Sequence, residues 1–277
     1  MAPLLPGEEG RPPAGGPSFR PMKIATWNVN SLRIRLPQVL DWLESAQPDL
    51  LAVQETKLTD DAFPVGELRA AGYHAAYSGQ KTYNGVAVFS KTPVEDAQTD
   101  PPNLDDPQRR ILAVTAGPLR VINLYVPNGS EVGSDKYAYK LDWLAKIRDF
   151  VAGEMETHPH AVVLGDFNIA PEDRDVHDPE SWREKILCST PERDAFRALA
   201  GLGLSDLFRR FEQPDGSFSW WDYRAAGFRR NLGLRIDHIL ASPQLAERCT
   251  ACTIDKAPRK LERPSDHAPV VAEFDGF

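Results

Sequence analysis

The chain has little cysteine, no long apolar run and no excess of positive charge, and each shortage removes a class of protein. Cys188, Cys249 and Cys252 are the only cysteines among 277 residues, an odd count that cannot close a disulfide framework. Cys249 and Cys252 have the spacing of half a zinc or redox site but lack a second pair, so reduced thiols in a cytoplasmic protein are expected. No stretch approaches the roughly 18 apolar residues that cross a bilayer, and no membrane is expected as a partner. Residues 1–21 are rich in Pro and Gly without the basic start and apolar core of a secretory signal. They read as a disordered extension before one domain over 22–277, with no internal repeat and no later linker. The net charge of −8 and pI near 5.3 argue against a protein that coats nucleic acid. An enzyme with a local basic edge remains open. Arg224, Arg229, Arg230 and Arg235 face only Asp222 in residues 222–235, which reads as a phosphate-binding edge or as a solvated loop.

What the chain does have is a series of strand-like runs that end in polar residues. Residues 161–168, A-V-V-L-G-D-F-N, read as a buried strand with Asp166 and Asn168 two apart at its end and Phe167 turned into the core. The same pair would also serve an Asx turn. Lys23–Trp27 reads as a strand ended by Asn28. Ser31 is the expected cap of a helix carrying Leu32, Leu36, Val39, Leu40 and Leu43, and Pro37 fits near its start. Leu50–Gln54 is a strand ending in Glu55, residues 73–90 form two strands, and residues 111–116 and 119–126 form a hairpin around Gly117-Pro118. That hairpin delivers Tyr125, which would by itself suit core packing. A helix over 137–151 follows, and residues 171–178 make an acidic loop that reads as a substrate flank or as solvated surface. Residues 195–204 form a short helix, Trp220 and Trp221 point oppositely on one small strand, 234–241 form a strand, and 270–274 close the chain. These strands and helices predict an α/β fold of mixed sheets between outer helices. No G-x-G-x-x-G follows the first strand, which excludes a simple dinucleotide-binding order.

The polar strand ends are rich in oxygen. Glu55 suits a hard divalent ion, and Asn28, Asp166, Asn168, Asp237 and Asp266 enlarge an oxygen-rich site for Mg²⁺ or Mn²⁺ rather than zinc. His267 reads either as an isolated ring on a turn or as a ring that donates to Asp237 from one nitrogen while the other meets a phosphate oxygen. His158 and His160 read as loop residues, not as a metal pair.

Six ordered segments then carry a resemblance: W-N-V-N-S-L-R at 27–33, Q-E-T-K at 54–57, Y-V-P-N-G at 125–129, G-D-F-N-I-A-P at 165–171, G-L-R-I-D at 233–237 and S-D-H-A-P-V at 265–270. From residue 22 onward the chain resembles the exonuclease III group of apurinic/apyrimidinic endonucleases, within the endonuclease/exonuclease/phosphatase superfamily. The resemblance implies a four-layer α/β sandwich of two packed mixed β-sheets flanked by helices, with the active site on one rim. It implies Glu55 as the Mg²⁺ ligand with help from Asn30, and a metal-side network that takes in Asp166, Asn168, Asp266 and His267. Asp166 would activate water, Asn28 and Asn168 would position it, and Tyr125 with the Asp237–His267 pair would meet the phosphate. Trp220, Leu234 and Ile236 would line a pocket for an extrahelical abasic sugar, and Asn128 would lie near DNA. Asn128 and Asn30 stand where some relatives carry a longer polar side chain and an Asp. The implied reaction is Mg²⁺-dependent hydrolysis of double-stranded DNA 5′ to abasic sites, together with processing of 3′ ends. The enzyme is expected to be a cytoplasmic, nucleoid-associated monomer. The alternatives are a 3′-5′ exonuclease with little abasic incision, a phospholipid phosphodiesterase, and a silent DNA-binding module, which would be expected to have lost Glu55, Asp166 or His267.

Overall fold

The computed structural model describes residues 21–276, so the expected disorder of the N-terminal extension concerns residues that, Pro21 apart, lie outside the described ones. Fourteen strands are described: β1 Met22–Asn28, β2 Leu50–Gln54, β3 His74–Ser78, β4 Val86–Ser90, β5 Val94–Gln98, β6 Ile111–Ala116, β7 Leu119–Tyr125, β8 Ala161–Asp166, β9 Ser205–Asp206, β10 Trp220–Trp221, β11 Gly233–Leu234, β12 Asp237–Ala241, β13 Cys249–Ile254 and β14 Val270–Phe274. The α-helices are α1 Leu32–Ala46, α2 Val65–Ala70, α3 Asp135–Thr157, α4 Pro179–Trp182, α5 Thr190–Ala200 and α6 Pro243–Ala246.

Twelve of the strands build two six-stranded sheets, ordered β13-β14-β1-β2-β4-β3 and β5-β6-β7-β8-β12-β9. Each sheet is mixed, with one parallel pair, β1–β2 in the first and β7–β8 in the second. Strand alternation explains the layers. On β7, Leu119 and Val121 face the first sheet in the central core, whereas Ile122 and Leu124 pack with Trp143, Leu144 and Ile147 of α3. On the first sheet, Ile24 and Ala52 face inward, whereas Ala25, Trp27, Leu51 and Val53 pack against α1 residues Val39, Trp42 and Leu43. Helix, sheet, sheet and helix thus form the four-layer sandwich expected from the sequence.

Local departures from expectation have local reasons. Ser31 does not cap α1 through its side chain; its N–H and that of Leu32 donate instead to the Glu55 and Thr56 carbonyls, at 2.7 and 3.0 Å. Pro37 lies inside α1. The α3 helix runs past its apolar pattern at both ends, and its start is fixed by a side-chain cap, the Ser134 hydroxyl accepting from the Tyr137 N–H at 3.2 Å. The strand expected over 234–241 is broken, because Leu234 pairs with β10 and only Asp237 onward joins β8. The 190–200 helix begins before the expected 195, at a capping box between Ser189 and Glu192.

Candidate active site

The polar residues at the rim continue the inward faces of the strands that carry them. Asn28 follows Ile24 and Thr26 by alternation, Tyr125 follows Leu119 and Val121, Asp166 follows Val162 and Leu164, and Asp237 precedes Ile239 and Ala241. The site is therefore the polar end of the space between the sheets, with Asn28 and Glu55 from the first sheet and Tyr125, Asp166 and Asp237 from the second. Tyr125 and Asp166 are register partners across β7–β8, as are Asp166 and Asp237 across β8–β12. Gly165 permits this closeness: its φ is 144°, and a Cβ there would lie 1.9 Å from the Leu124 carbonyl oxygen.

Hydrogen bonds fix the cluster. Asn28 Nδ2 donates to Glu55 Oε1 and to Asp166 Oδ2, at 2.9 Å each, tying the two sheets' carboxylates to one amide. Its Oδ1 accepts from the Asn30 N–H at 3.0 Å. Asn168 N donates to Asp166 Oδ1, and Asn168 Nδ2 donates to the Val126 carbonyl, both at 2.9 Å. His267 sits with Nδ1 at 2.9 Å from Asp237 Oδ2 and Nε2 at 3.7 Å from Asp166 Oδ2. Ser219 Oγ donates to Asp237 Oδ2 at 2.6 Å while accepting the Ile236 and Asp237 N–H groups, so it orients the orienting carboxylate. Asn30, Glu55 and Asn168 all have left-handed backbones, with φ of 43°, 53° and 48°. Such conformations cost energy and gather where function holds them.

Burial sets the charges. Burial pushes the Asp166 carboxyl up to about 7, with Asp237 adding to the rise and His267 and Asn28 opposing it. For His267, burial works against the charged ring, but Asp237 and Asp166 overcome it and raise the imidazole to about 10. Burial, then the Glu55 and Asp166 charges, raise the Tyr125 phenol well above its ordinary value, although Arg110 lies 4.8 Å from its ring centre. At neutral pH Tyr125 is a hydroxyl donor and His267 an imidazolium.

Glu55, Asp166 and His267 bring one donor atom each within 4.8 Å of one another. The other residues read as metal ligands surround this group. Asp266 accepts from Asn30 Nδ2 and Trp220 Nε1, both at 3.0 Å, and Asn168 spends its amide on Val126. Lys57, present in the Q-E-T-K segment but given no role from sequence, places Nζ 3.0 Å from Glu55 Oε2 and 2.6 Å from Asn30 Oδ1. Sequence reading also missed Ser219 and a buried ion pair, Lys140 with Glu192, whose ammonium donates to the Asn168 and Asn128 carbonyls. A lysine on a helix carries no sign in the sequence that it is wholly buried.

On the substrate side, Trp220 is half-buried beside His267, whereas Trp221 is in the core, the opposed orientation expected of neighbours on a strand. Leu234 and Ile236 are closed off, packed with Trp220, Val176, Leu187 and Cys188, so they floor the Trp220 site instead of lining an open pocket. Asn128 is exposed and donates to Asn168 Oδ1 at 3.3 Å. Arg224, Arg229 and Arg230 are exposed, Arg224 being paired with Asp222. Arg235 does not belong to that edge. It is 1% exposed and bound to Asp175 and Asp206, at 2.7 and 2.8 Å, which corrects its reading as a phosphate contact. In the acidic loop Glu172, Asp173 and Asp178 are exposed, as on a solvated surface, and only Asp175 points inward, to Arg235 and Arg209. Although burial alone would raise the Asp175 carboxyl, these guanidiniums hold it below the usual range.

The sequence matches the Endonuclease/Exonuclease/phosphatase family over residues 25–267. It is 38% identical to the exodeoxyribonuclease III of Haemophilus influenzae across 91% of this chain and all of that protein. Its fold is similar to that of NExo, a Neisseria 3′ phosphatase bound to a product DNA hairpin, with a TM-score of 0.91 and 52% identity over 92% of this chain and 100% of the other. It is also similar to an AP endonuclease from Archaeoglobus fulgidus, with a TM-score of 0.89 and 40% identity over the same shares.

Proposed function

The chain belongs to the Endonuclease/Exonuclease/phosphatase family, and from that premise we propose that it is a DNA repair nuclease, a divalent-metal-dependent phosphodiesterase that incises duplex DNA 5′ to abasic sites and processes 3′ ends. The observation that carries this reading is the single imidazole held between Asp237 and Asp166 beside Glu55. Two carboxylates and a fixed imidazolium offer what in-line hydrolysis of a phosphodiester requires. With Nδ1 bound to Asp237, the protonated ring presents Nε2–H to a non-bridging phosphate oxygen. The Tyr125 hydroxyl is the second donor. Asp166, raised towards neutrality, takes a proton from the attacking water, and Asn168 and Asn28 hold its carboxylate in place.

The donor set fits a hard cation: Glu55, with Asp166, would hold Mg²⁺ or Mn²⁺ by oxygen, and neutral amides and Lys57 surround them. A bound ion there would offset charge on the phosphate oxygens. Because an imidazolium has no free lone pair, His267 serves the phosphate better than the ion. Exposed Arg229 and Arg230, with Asn128, would meet the DNA backbone. Residues 22–277 are taken as the catalytic domain of a cytoplasmic monomer, so deleting 1–21 is expected to leave folding and cleavage nearly intact.

A second reading, 3′-end processing with little abasic incision, is favoured by the closure of Leu234 and Ile236 under Trp220, which leaves an extrahelical sugar less room. One time course separates the two. A duplex with a single internal abasic analogue, labelled at each strand end and incubated in Mg²⁺, should be incised faster than the intact duplex and should also show 3′ trimming. Trimming without abasic incision would select the second reading. Inactivity on every DNA would reject both.

A further inference from the structure

The site draws its residues from two sheets that are not hydrogen-bonded to each other as strands, so its geometry depends on how those sheets sit. Most of the layer between them is apolar, built from residues such as Leu50, Val86, Val121 and Leu164. Such packing attracts without fixing direction. One layer beneath the rim, however, is polar. Thr26, Gln54 and Asn123 are each fully buried on the facing sides of β1, β2 and β7. Asn123 Nδ2 crosses from the second sheet to donate to the Val53 and Ala87 carbonyls of the first, at 3.0 and 2.9 Å. Gln54 Nε2 returns the bond, donating to Asn123 Oδ1 at 2.8 Å and to Thr26 Oγ1 at 2.9 Å. One amide on β7 is thereby bonded to β2 and β4 directly and to β1 through Gln54.

The members of this group immediately precede the site. Thr26 is two residues before Asn28, Gln54 one before Glu55, and Asn123 two before Tyr125, a step of about 7 Å along a strand. Stability does not explain them. An apolar layer of the same shape would be no less stable, and Gln54 Oε1 is buried without a partner, which makes the polar layer costlier still. What the amides add is direction: a slide of one sheet over the other would break three hydrogen bonds.

We propose that Asn123, with Gln54, is a positioning residue that locks the register of the two sheets beneath the site and so sets the separation of Glu55 from Tyr125 and Asp166. This inference rests on the nuclease reading for its kinetic arm and on the Glu55 cluster alone for its metal arm. In Asn123→Leu, made in the full chain, the thermal midpoint should fall only modestly, since Gln54 Nε2 loses one acceptor, and KM for DNA should change less than about twofold. The kcat should fall about tenfold or more, and the Mn²⁺ dissociation constant from calorimetry should rise about fivefold or more, as expected when a site's supporting contacts are lost. Gln54→Met, which leaves the two Asn123 carbonyl bonds in place, should move both readouts part of the way.

A folded Asn123→Leu protein with parental kcat and Mn²⁺ affinity overturns the proposal, as does one that loses only stability. If Asn123→Leu fails to fold, Gln54→Met decides, and parental values of both readouts overturn the proposal. A parent that binds Mn²⁺ but cleaves no DNA defeats the nuclease reading, and the metal arm then still tests the lock.

Discussion

Asp166 and Asp237 stand directly opposite each other in the β8–β12 register, and the ring of His267 bridges them, 2.9 Å from one and 3.7 Å from the other. Like charges at facing positions repel, and the imidazolium between the two carboxyls offsets that repulsion. The same arrangement keeps His267 protonated, and it opposes the burial that lifts the Asp166 carboxyl to about 7.

His267→Ala should remove a phosphate donor and leave two carboxylates opposed. The expected result in single-turnover kinetics is a rate lower by roughly 10²–10³-fold, with DNA affinity changed much less. Asp237→Asn should fall in the same direction, and the double variant should be little worse than the poorer single one, because the two act as a unit. Additive losses would show that they act separately.

Glu55→Ala takes away the carboxylate that Asn28 and Lys57 hold. Cleavage at limiting Mg²⁺ is expected to drop by roughly a hundredfold or more, with DNA retention in gel shifts close to that of the parent. Parental turnover at limiting Mg²⁺ would remove Glu55 from the metal site.

The two kinds of arginine should separate cleanly. Arg235→Leu takes the guanidinium from Asp206 and leaves buried Asp175 with Arg209 alone, and denaturant unfolding should reveal a loss of about 3–5 kcal/mol. Arg229→Ala should leave stability unchanged and lower the salt dependence of DNA binding by about one phosphate contact. The reverse pattern would restore Arg235 to the DNA edge.

His238 supplies a pH dependence of stability. It is fully buried, its Nδ1 lies 3.0 Å from Arg235, and its Nε2 lies 2.8 Å from the Ile169 carbonyl. Burial, and then Arg235, lower its imidazole to about 4 from the ordinary 6.5. Between those values the unfolded chain binds the extra proton, so stability is fully present above pH 6.5 and declines as pH falls towards 4, by about 3 kcal/mol for this group. Denaturant titrations at pH 7.5 and 5 should show the decline, and His238→Gln should flatten it. An equal slope in the variant would assign the decline to other groups.

Much of the site was legible in the chain because alternation along a strand is local. Phe167 turning inward beside Asp166, the opposed tryptophans at 220 and 221, and the polar ends at Asn28, Glu55 and Tyr125 need only the period of a strand and where it stops. The six ordered segments added the family and its four-layer fold. Tertiary structure decided what lies across from each side chain. Arg235 reads as a basic-loop residue until Asp175 and Asp206, 60 and 29 positions away, neutralise it in the interior. Leu234 leaves the β12 strand because β10 takes it as a partner. Asn123 looks like an isolated polar residue in an apolar strand, and only the first sheet, which brings Gln54 across 69 positions, makes it a cross-link. Periodicity reports which face a residue occupies, whereas the partner on that face is chosen by how distant strands stack, and the energy of a buried charge or amide depends almost wholly on that partner.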